Sequence, residues 1–170
     1  MNTQNTVVLS LGSNQGNRQE NISQCMHWIH LEMGTVVAVS KLYETPAWGF
    51  ESALFYNAAV VLHTSKSAPE LLTAIQSIEK KLGRIRAKGS GYQARMIDID
   101  IISFNQESIE TPDLQIPHPQ MQNRLFVLLP MNDLALNFTH PILNKNISEL
   151  IAECQDQGDW SVIAKLELPQ

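Results

Sequence analysis

Between residues 7 and 104 two kinds of periodicity follow one another, and their order restricts the fold more than any other feature of this chain. Residues 7–11 are a short apolar run ending at Gly12, the pattern of a buried strand. After a turn over residues 12–17, Asn17 and Glu20 form a capping pair. Ile22, Met26, Ile29 and Met33 then recur on one helical face, and Gly34 stops the helix. Residues 35–43 are rich in β-branched side chains and predict a strand. A Pro-containing loop spans 44–52, and residues 54–64 predict a second long strand. Ser67 and Glu70 make a capping box with Pro69 in the first turn, where its missing N–H does no harm. Leu71, Leu72, Ile75, Ile78 and Leu82 supply the apolar stripe of this second helix, which Gly83 ends. Beyond a polar, basic loop at 84–93, residues 96–104 predict another strand.

The order is β-α-β-β-α-β. It predicts an α+β, ferredoxin-like sandwich: an antiparallel sheet with both helices packed on one face. Residues 105–108 predict a hairpin turn into a short strand at Ile109. A short helix is expected over 124–134 and a capped one from Asn146. The alternation of Trp160, Val162, Ala164, Leu166 and Leu168 suggests an extra edge strand. The 170 residues are expected to form one domain, 1–170, with 143–170 as its C-terminal extension. An apolar fraction of 44% with 17% charged residues is globular, and excludes disordered or fibrous classes. The net charge of −5 disfavours nucleic acid or an anionic membrane as partner. The longest apolar stretch, 125–131, falls far short of the ~20 residues needed to span a bilayer. The run at 7–11 is too short for a signal peptide, and Cys25 and Cys154 make no disulfide framework. A cytoplasmic protein with reduced thiols is the expectation.

The chemistry concentrates at Arg95-Met96-Ile97-Asp98-Ile99-Asp100-Ile101-Ile102. Strand alternation turns Ile97, Ile99 and Ile101 to the core and projects Asp98 and Asp100 together from the other face, their Cα atoms ~6.6–7 Å apart. Such a pair is either a solvated face or a site where a divalent cation relieves the repulsion. Mg²⁺ prefers one or two carboxylates completed by water and phosphate. Lys80, Lys81, Arg84, Arg86, Lys88 and Arg95 lie in a stretch with no acid. Compensation of a helix dipole accounts for the two lysines but not for the arginines beyond the helix. Guanidinium forks suit phosphate oxygens. A basic loop feeding a two-carboxylate strand therefore reads as a site for metal plus polyphosphate. His118 sits between Pro117 and Pro119, and is either structural or functional. Arg124 near a helix start opposes the dipole and suggests a partner anion. Phe55 and Asn57 share a strand face, which offers stacking and edge reading of a flat heterocycle or merely core packing. There is no P-loop, nucleophile elbow, dinucleotide fingerprint or zinc spacing.

Six stretches occur in order: Leu11-Gly12-Ser13-Asn14, Tyr43-Glu44-Thr45-Pro46, Phe55-Tyr56-Asn57-Ala58-Ala59, Gly83-Arg84-Ile85-Arg86, Arg95 to Asp100, and Pro117-His118-Pro119 with Asn123-Arg124-Leu125-Phe126. Together they resemble the 6-hydroxymethyl-7,8-dihydropterin pyrophosphokinase family of folate biosynthesis. The resemblance implies a ferredoxin-like fold and transfer of pyrophosphate from ATP to the pterin's hydroxymethyl oxygen, with AMP released. It implies that Asp98 and Asp100 hold two Mg²⁺ ions, with Asp98 also approaching the hydroxymethyl group. Arg84, Arg95, His118 and Arg124 would contact phosphates; Gln76, Glu79 and Ile101 would help seat the nucleotide; Arg86 would be a loop arginine that closes on it. The pterin would lie between Phe55 and Phe126, with Asn57, Thr45, Pro46 and Trp48 reading its edge. The catalytic group would be Arg84, Arg86, Arg95, Asp98 and Asp100. The chain departs from the family in offering Lys88 and Tyr92 where other members carry an arginine and a tryptophan, and in having Phe55 for tyrosine. Small molecules are the expected partners, and a monomer is the expected state, with a dimer left open. A non-catalytic nucleotide-binding regulatory module on the same scaffold is the alternative, which the paired aspartates disfavour, since ATP binding alone does not require them. A metal-dependent nuclease suits the negative net charge poorly.

Overall fold

The computed structural model describes residues 4–84 and 95–170. Strand β1 (Asn5–Ser13) lies inside an antiparallel sheet, between β4 (Phe55–Thr64) and β5 (Asp98–Phe104). Along the far side of β4 run β2 (Thr35–Val39) and β3 (Leu42–Thr45), and β8 (Ser161–Ala164) extends the sheet beyond β3. The order is β5-β1-β4-β3-β8, with β2 also paired to β4. The single strand expected over 35–43 is thus two. At the break, Ser40 N–H donates to the Ala59 carbonyl and Ser40 Oγ accepts from the Ala59 N–H, both at 2.9 Å. A side-chain hydroxyl here takes the place of a backbone partner and interrupts the ladder.

Helices α1 (Arg18–Glu32) and α2 (Ala68–Lys81) cover one face, as the element order predicts. Asn17 caps α1 by accepting from the Glu20 N–H at 3.1 Å. The Glu70 carboxylate closes the α2 cap on the Ser67 N–H at 2.7 Å. Val7, Leu9 and Leu11 of β1 meet Ala58, Val60 and Leu62 of β4 and Ile99 and Ile101 of β5 beneath these helices. Ile22, Ile29, Leu71 and Ile78 are fully buried there. Each contributes about 1.5–3 kcal/mol of burial free energy. Cys25 belongs to this core; burial pushes its thiol up, so it is an inert packing residue.

The opposite face is divided. At one end Val8, Ala59, Val61 and Ile102 pack against α3 (Leu125–Asp133) and α4 (Ile147–Glu153), through Val127, Leu128, Met131, Ile147 and Leu150. At the other end Ser10, Gly12, Asn57, Asp98 and Asp100 line an open cleft. Asn146 and Glu149 box the start of α4, as expected. The turn after β5 places Asn105 at φ 52°, but no β5 hairpin follows. Instead β6 (Ile109–Glu110) pairs with β7 (Gln115–Ile116), and His118 N–H donates to the Ile102 carbonyl at 3.0 Å. The C-terminal alternation becomes strand only over β8, while Leu166 packs on the helix-side core. Among the described residues no helix is long and apolar enough to cross a membrane.

Candidate active site

The register aligns the floor of the cleft. Gly12 of β1 pairs with Asn57 on one side and Asp98 on the other; Ser10 pairs with Ala59 and Asp100. Two rows therefore cross three strands, Asn57–Gly12–Asp98 and Ala59–Ser10–Asp100. The middle of each row is low because β1 supplies glycine and serine. The carboxylates stand on the β5 side and the amide on the β4 side. With its solvent-open mouth included, the cleft spans about 540 Å³. Phe55, Phe50, Trp48, Phe126, Thr45 and Pro46 wall the Asn57 side, and Arg95 and Arg124 join the carboxylates.

Asn57 Nδ2 donates to Thr45 Oγ1 at 2.8 Å, which fixes the amide orientation and leaves Oδ1 toward Gly12. Phe50 meets Phe55 edge to face, with centroids 6.2 Å apart. The Arg124 guanidinium carbon lies 4.6 Å from the Trp48 ring centroid and 5.5 Å from that of Phe126. Its Nε is buried and has no hydrogen-bond partner among the described residues. The loop carrying Trp48 and Phe50 is tied down by Asn14, whose Nδ2 donates to Ser52 Oγ at 2.9 Å and whose Oδ1 accepts from the Arg95 N–H. Arg18 donates to the Leu54 carbonyl at 2.8 Å and pairs with Glu44 at 2.9 Å.

Asp98 is held by two guanidinium groups, Arg84 Nη1 at 2.8 Å and Arg95 Nη1 at 2.7 Å. Arg84 also pairs with Glu79, whose Oε1 accepts the Ile99 N–H of β5 at 3.0 Å. Burial raises the Glu79 pKa, against those favourable contacts. Asp100 is pushed up to about 7, by burial first and by the Asp98 charge second, with Arg124 opposing. His118 is pushed down to about 4, by burial first and by Arg124 second, so its imidazole is neutral near pH 7. Its Nδ1 accepts from the Gln120 N–H at 3.1 Å, which assigns the ring proton to Nε2 as a donor.

Thr45, Pro46, Trp48, Phe55, Asn57, Arg95, Asp98, Asp100, Arg124 and Phe126 all line the one cleft. Arg84 reaches it through Asp98, and Glu79 through Arg84. Gln76 is exposed on α2, and His118 lies beside β5. The expected role of Ile101 is narrowed: its side chain belongs to the helix-side core, so only its backbone is available to a nucleotide. Arg86, Lys88 and Tyr92 lie outside the described residues. Ser10 and Gly12 were not anticipated as site residues. Their signal was strand parity, because they alternate with Val7, Leu9 and Leu11. Phe50, in a loop, had no periodic signal.

Asp98 and Asp100 are hard oxygen donors, and no cluster of three or more His, Cys, Asp or Glu with metal-site geometry occurs among the described residues. Two carboxylates beside arginines fit Mg²⁺ with its remaining positions left to water and phosphate; they do not fit a zinc cage.

Residues 8–136 match the model of the family described as 7,8-dihydro-6-hydroxymethylpterin-pyrophosphokinase. A 2-amino-4-hydroxy-6-hydroxymethyldihydropteridine pyrophosphokinase of Porphyromonas gingivalis is 40% identical over 138 residues, covering 79% of this chain and 93% of that one. The Bacillus subtilis protein of the same name is 43% identical over 132 residues, covering 76% and 78%. Among solved structures, the wild-type HPPK-DHPS of Plasmodium falciparum superposes with a TM-score of 0.71 at 20% identity. That match covers 89% of this chain but 45% of the longer one. The chain thus spans less than half of that solved structure, and most of the curated bacterial relatives it matches. By the extent of its match and the identity of these relatives, the chain belongs to the 7,8-dihydro-6-hydroxymethylpterin-pyrophosphokinase family.

Proposed function

We propose that this chain moves the terminal pyrophosphoryl group of ATP onto the hydroxymethyl oxygen of 6-hydroxymethyl-7,8-dihydropterin, releasing AMP, in folate biosynthesis. The observation that carries the reading is the pair of rows across β4, β1 and β5. They put an amide and aromatic walls at one side of a single floor and two carboxylates with arginines at the other. A flat heterocycle between Phe55 and Phe126, read by Asn57, would extend its substituent along the first row toward Asp98.

Phosphoryl transfer needs alignment and charge neutralisation more than covalent help. Asp98 and Asp100 would hold two Mg²⁺ ions, which as Lewis acids polarise phosphoryl oxygens when bound. Asp98 would also accept the hydrogen bond of the attacking hydroxyl and so orient its lone pair at the β-phosphorus. Arg84 and Arg95, which neutralise Asp98, would turn to phosphate oxygens as the nucleotide arrives. Arg124 and the Nε2–H of His118 would donate to further phosphate oxygens. Gln76 and the Ile101 backbone would seat the nucleoside, with Glu79 holding Arg84 and the edge of β5 in place. Residues 1–170 would work as one domain.

A phosphorus NMR time course with Mg-ATP and the hydroxymethyl pterin is expected to show AMP and a pterin diphosphate appearing together. ADP would instead place the attack at the γ-phosphorus, and ATP that is bound but unchanged would leave only a nucleotide-binding module. The floor has its own test. A Cβ at Gly12 would lie 3.2 Å from Asn57 Oδ1 and 3.5 Å from the Phe55 ring. The amide would have to give by a few tenths of an ångström, out of its present line on the floor. Gly12→Ala is therefore expected to weaken pterin binding about tenfold or more, the effect of misplacing a reading group, while ATP binding holds. Isothermal titration with each ligand separates the two, and unchanged pterin affinity would show that the floor is not its seat.

A further inference from the structure

Phe126 lies in the first turn of α3, and Arg124 stands just before that turn. Arg124 occupies the N-cap, where its side chain makes no capping hydrogen bond. An arginine has no acceptor, so it cannot satisfy the free N–H groups of a helix start. The acceptor comes instead from the C-terminal segment: Asp156 Oδ2 accepts the Leu125 N–H at 3.1 Å, and Oδ1 accepts the Gly158 N–H at 2.9 Å. A carboxylate at a helix N-terminus is doubly suited, as acceptor and as counter-charge to the dipole. The same segment touches the other wall. A Cβ at Gly158 would lie 3.7 Å from the Pro46 ring, and Trp160 meets Tyr43 at a tilt of 56° with centroids 5.9 Å apart.

We propose that Asp156 is a positioning residue of the active site: by capping α3 from outside, it fixes the peptide between Arg124 and Leu125 and so aims Arg124 and Phe126 into the cleft. The inference rests on the reaction proposed above but not on any family property, since Asp156 lies beyond the matched residues 8–136. The logic is substitution of roles. Position 124 is given to a guanidinium for the cleft, so the cap that a Ser, Thr or Asp would supply there is provided from residue 156. Without it the first turn frays, and the directions of two cleft side chains loosen together.

Steady-state kinetics of Asp156→Ala and Asp156→Asn test this, with Trp160→Ala as the comparison. Asparagine keeps an acceptor oxygen for the Leu125 N–H; alanine keeps none. Asp156→Ala is expected to raise the pterin KM about tenfold and lower kcat several-fold, the scale of a misaimed substrate contact. Asp156→Asn is expected to recover most of that loss. Trp160→Ala, which loosens β8 without touching the Leu125 N–H, is expected to lower the melting temperature and leave both KM values within twofold. If Asp156→Ala is folded by circular dichroism and shows wild-type KM and kcat, the proposal is overturned. It is also overturned if Trp160→Ala reproduces the Asp156→Ala kinetics, because the segment then acts only through general stability. Should Asp156→Ala fail to fold, Asp156→Ser carries the decision, because its hydroxyl sits one bond short of the position from which Asp156 Oδ2 accepts the Leu125 N–H: a folded Asp156→Ser with wild-type KM and kcat would refute it. Failure of the underlying reaction is distinct, since wild-type protein would then make no AMP.

Discussion

Asp100→Asn is expected to raise the melting temperature at pH 8 and to end turnover, whereas Asp98→Asn ends turnover and lowers the melting temperature. The two carboxylates share a strand face but not an environment. Asp98 is neutralised by Arg84 and Arg95 at 2.8 and 2.7 Å. Asp100 has its pKa raised from 3.8 to about 7, chiefly by burial. A raised carboxylate pKa means that the folded state disfavours the charge. The penalty is complete above pH 7, shrinks as pH falls and is gone below about 4, where both states are protonated. The full shift would be worth about 4 kcal/mol, and the cost of burying the polar amide of asparagine in the same place reduces the expected gain to about 1–2 kcal/mol. That is a rise of roughly 3–6 °C for a chain of this size. Replacing Asp98 instead takes a carboxylate away from Arg95 and from Arg84, which keeps Glu79, at a cost of about 1–3 kcal/mol. Activity should fall by on the order of 10³ in both, since each removes a negative group that holds the reacting charges in place. Thermal melts at pH 8 and pH 5 check the sign: a lower melting point for Asp100→Asn at pH 8 would mean that the charge of Asp100 stabilises the fold.

Arg124→Lys should reduce kcat/KM about 100-fold with little change in melting temperature. The guanidinium carbon lies 4.6 Å from the Trp48 ring centroid and 5.5 Å from that of Phe126, and its buried Nε lacks a partner among the described residues. Lysine preserves the charge but offers a compact, strongly hydrated ammonium that neither forks nor stacks. A loss under threefold would show that charge alone is used there. The expected loss also separates Arg124 from Lys41, whose pairing with Asp133 at 3.5 Å is an exposed contact worth little.

The path from sequence to this site was uneven in a way that follows from interaction range. Alternation assigned Asp98 and Asp100 to one face of β5 and Ile99 and Ile101 to the other, because a strand's period is local information. The same held for the caps of α1, α2 and α4, where both partners sit three residues apart. The break at Ser40 was not visible, since it depends on Ala59 across the sheet. Nor was the pairing of β6 with β7, which competes with a hairpin of equal local plausibility. The α3 cap was least visible of all, its acceptor 31 residues downstream. In the site, residues with chemistry announced themselves by type, and Ser10 and Gly12 did not, because their contribution is the volume they leave empty.

That emptiness has a consequence for how the site can change over time. Any substitution at Gly12 adds bulk against Asn57 and Phe55, so the floor has no route to variation that spares the substrate. The rim is different: Phe50 or Pro46 can alter its shape without filling the space in which a heterocycle lies. An inhibitor resting on the floor would meet a surface the protein cannot redraw without losing its own reaction. One leaning on the rim would leave room for escape.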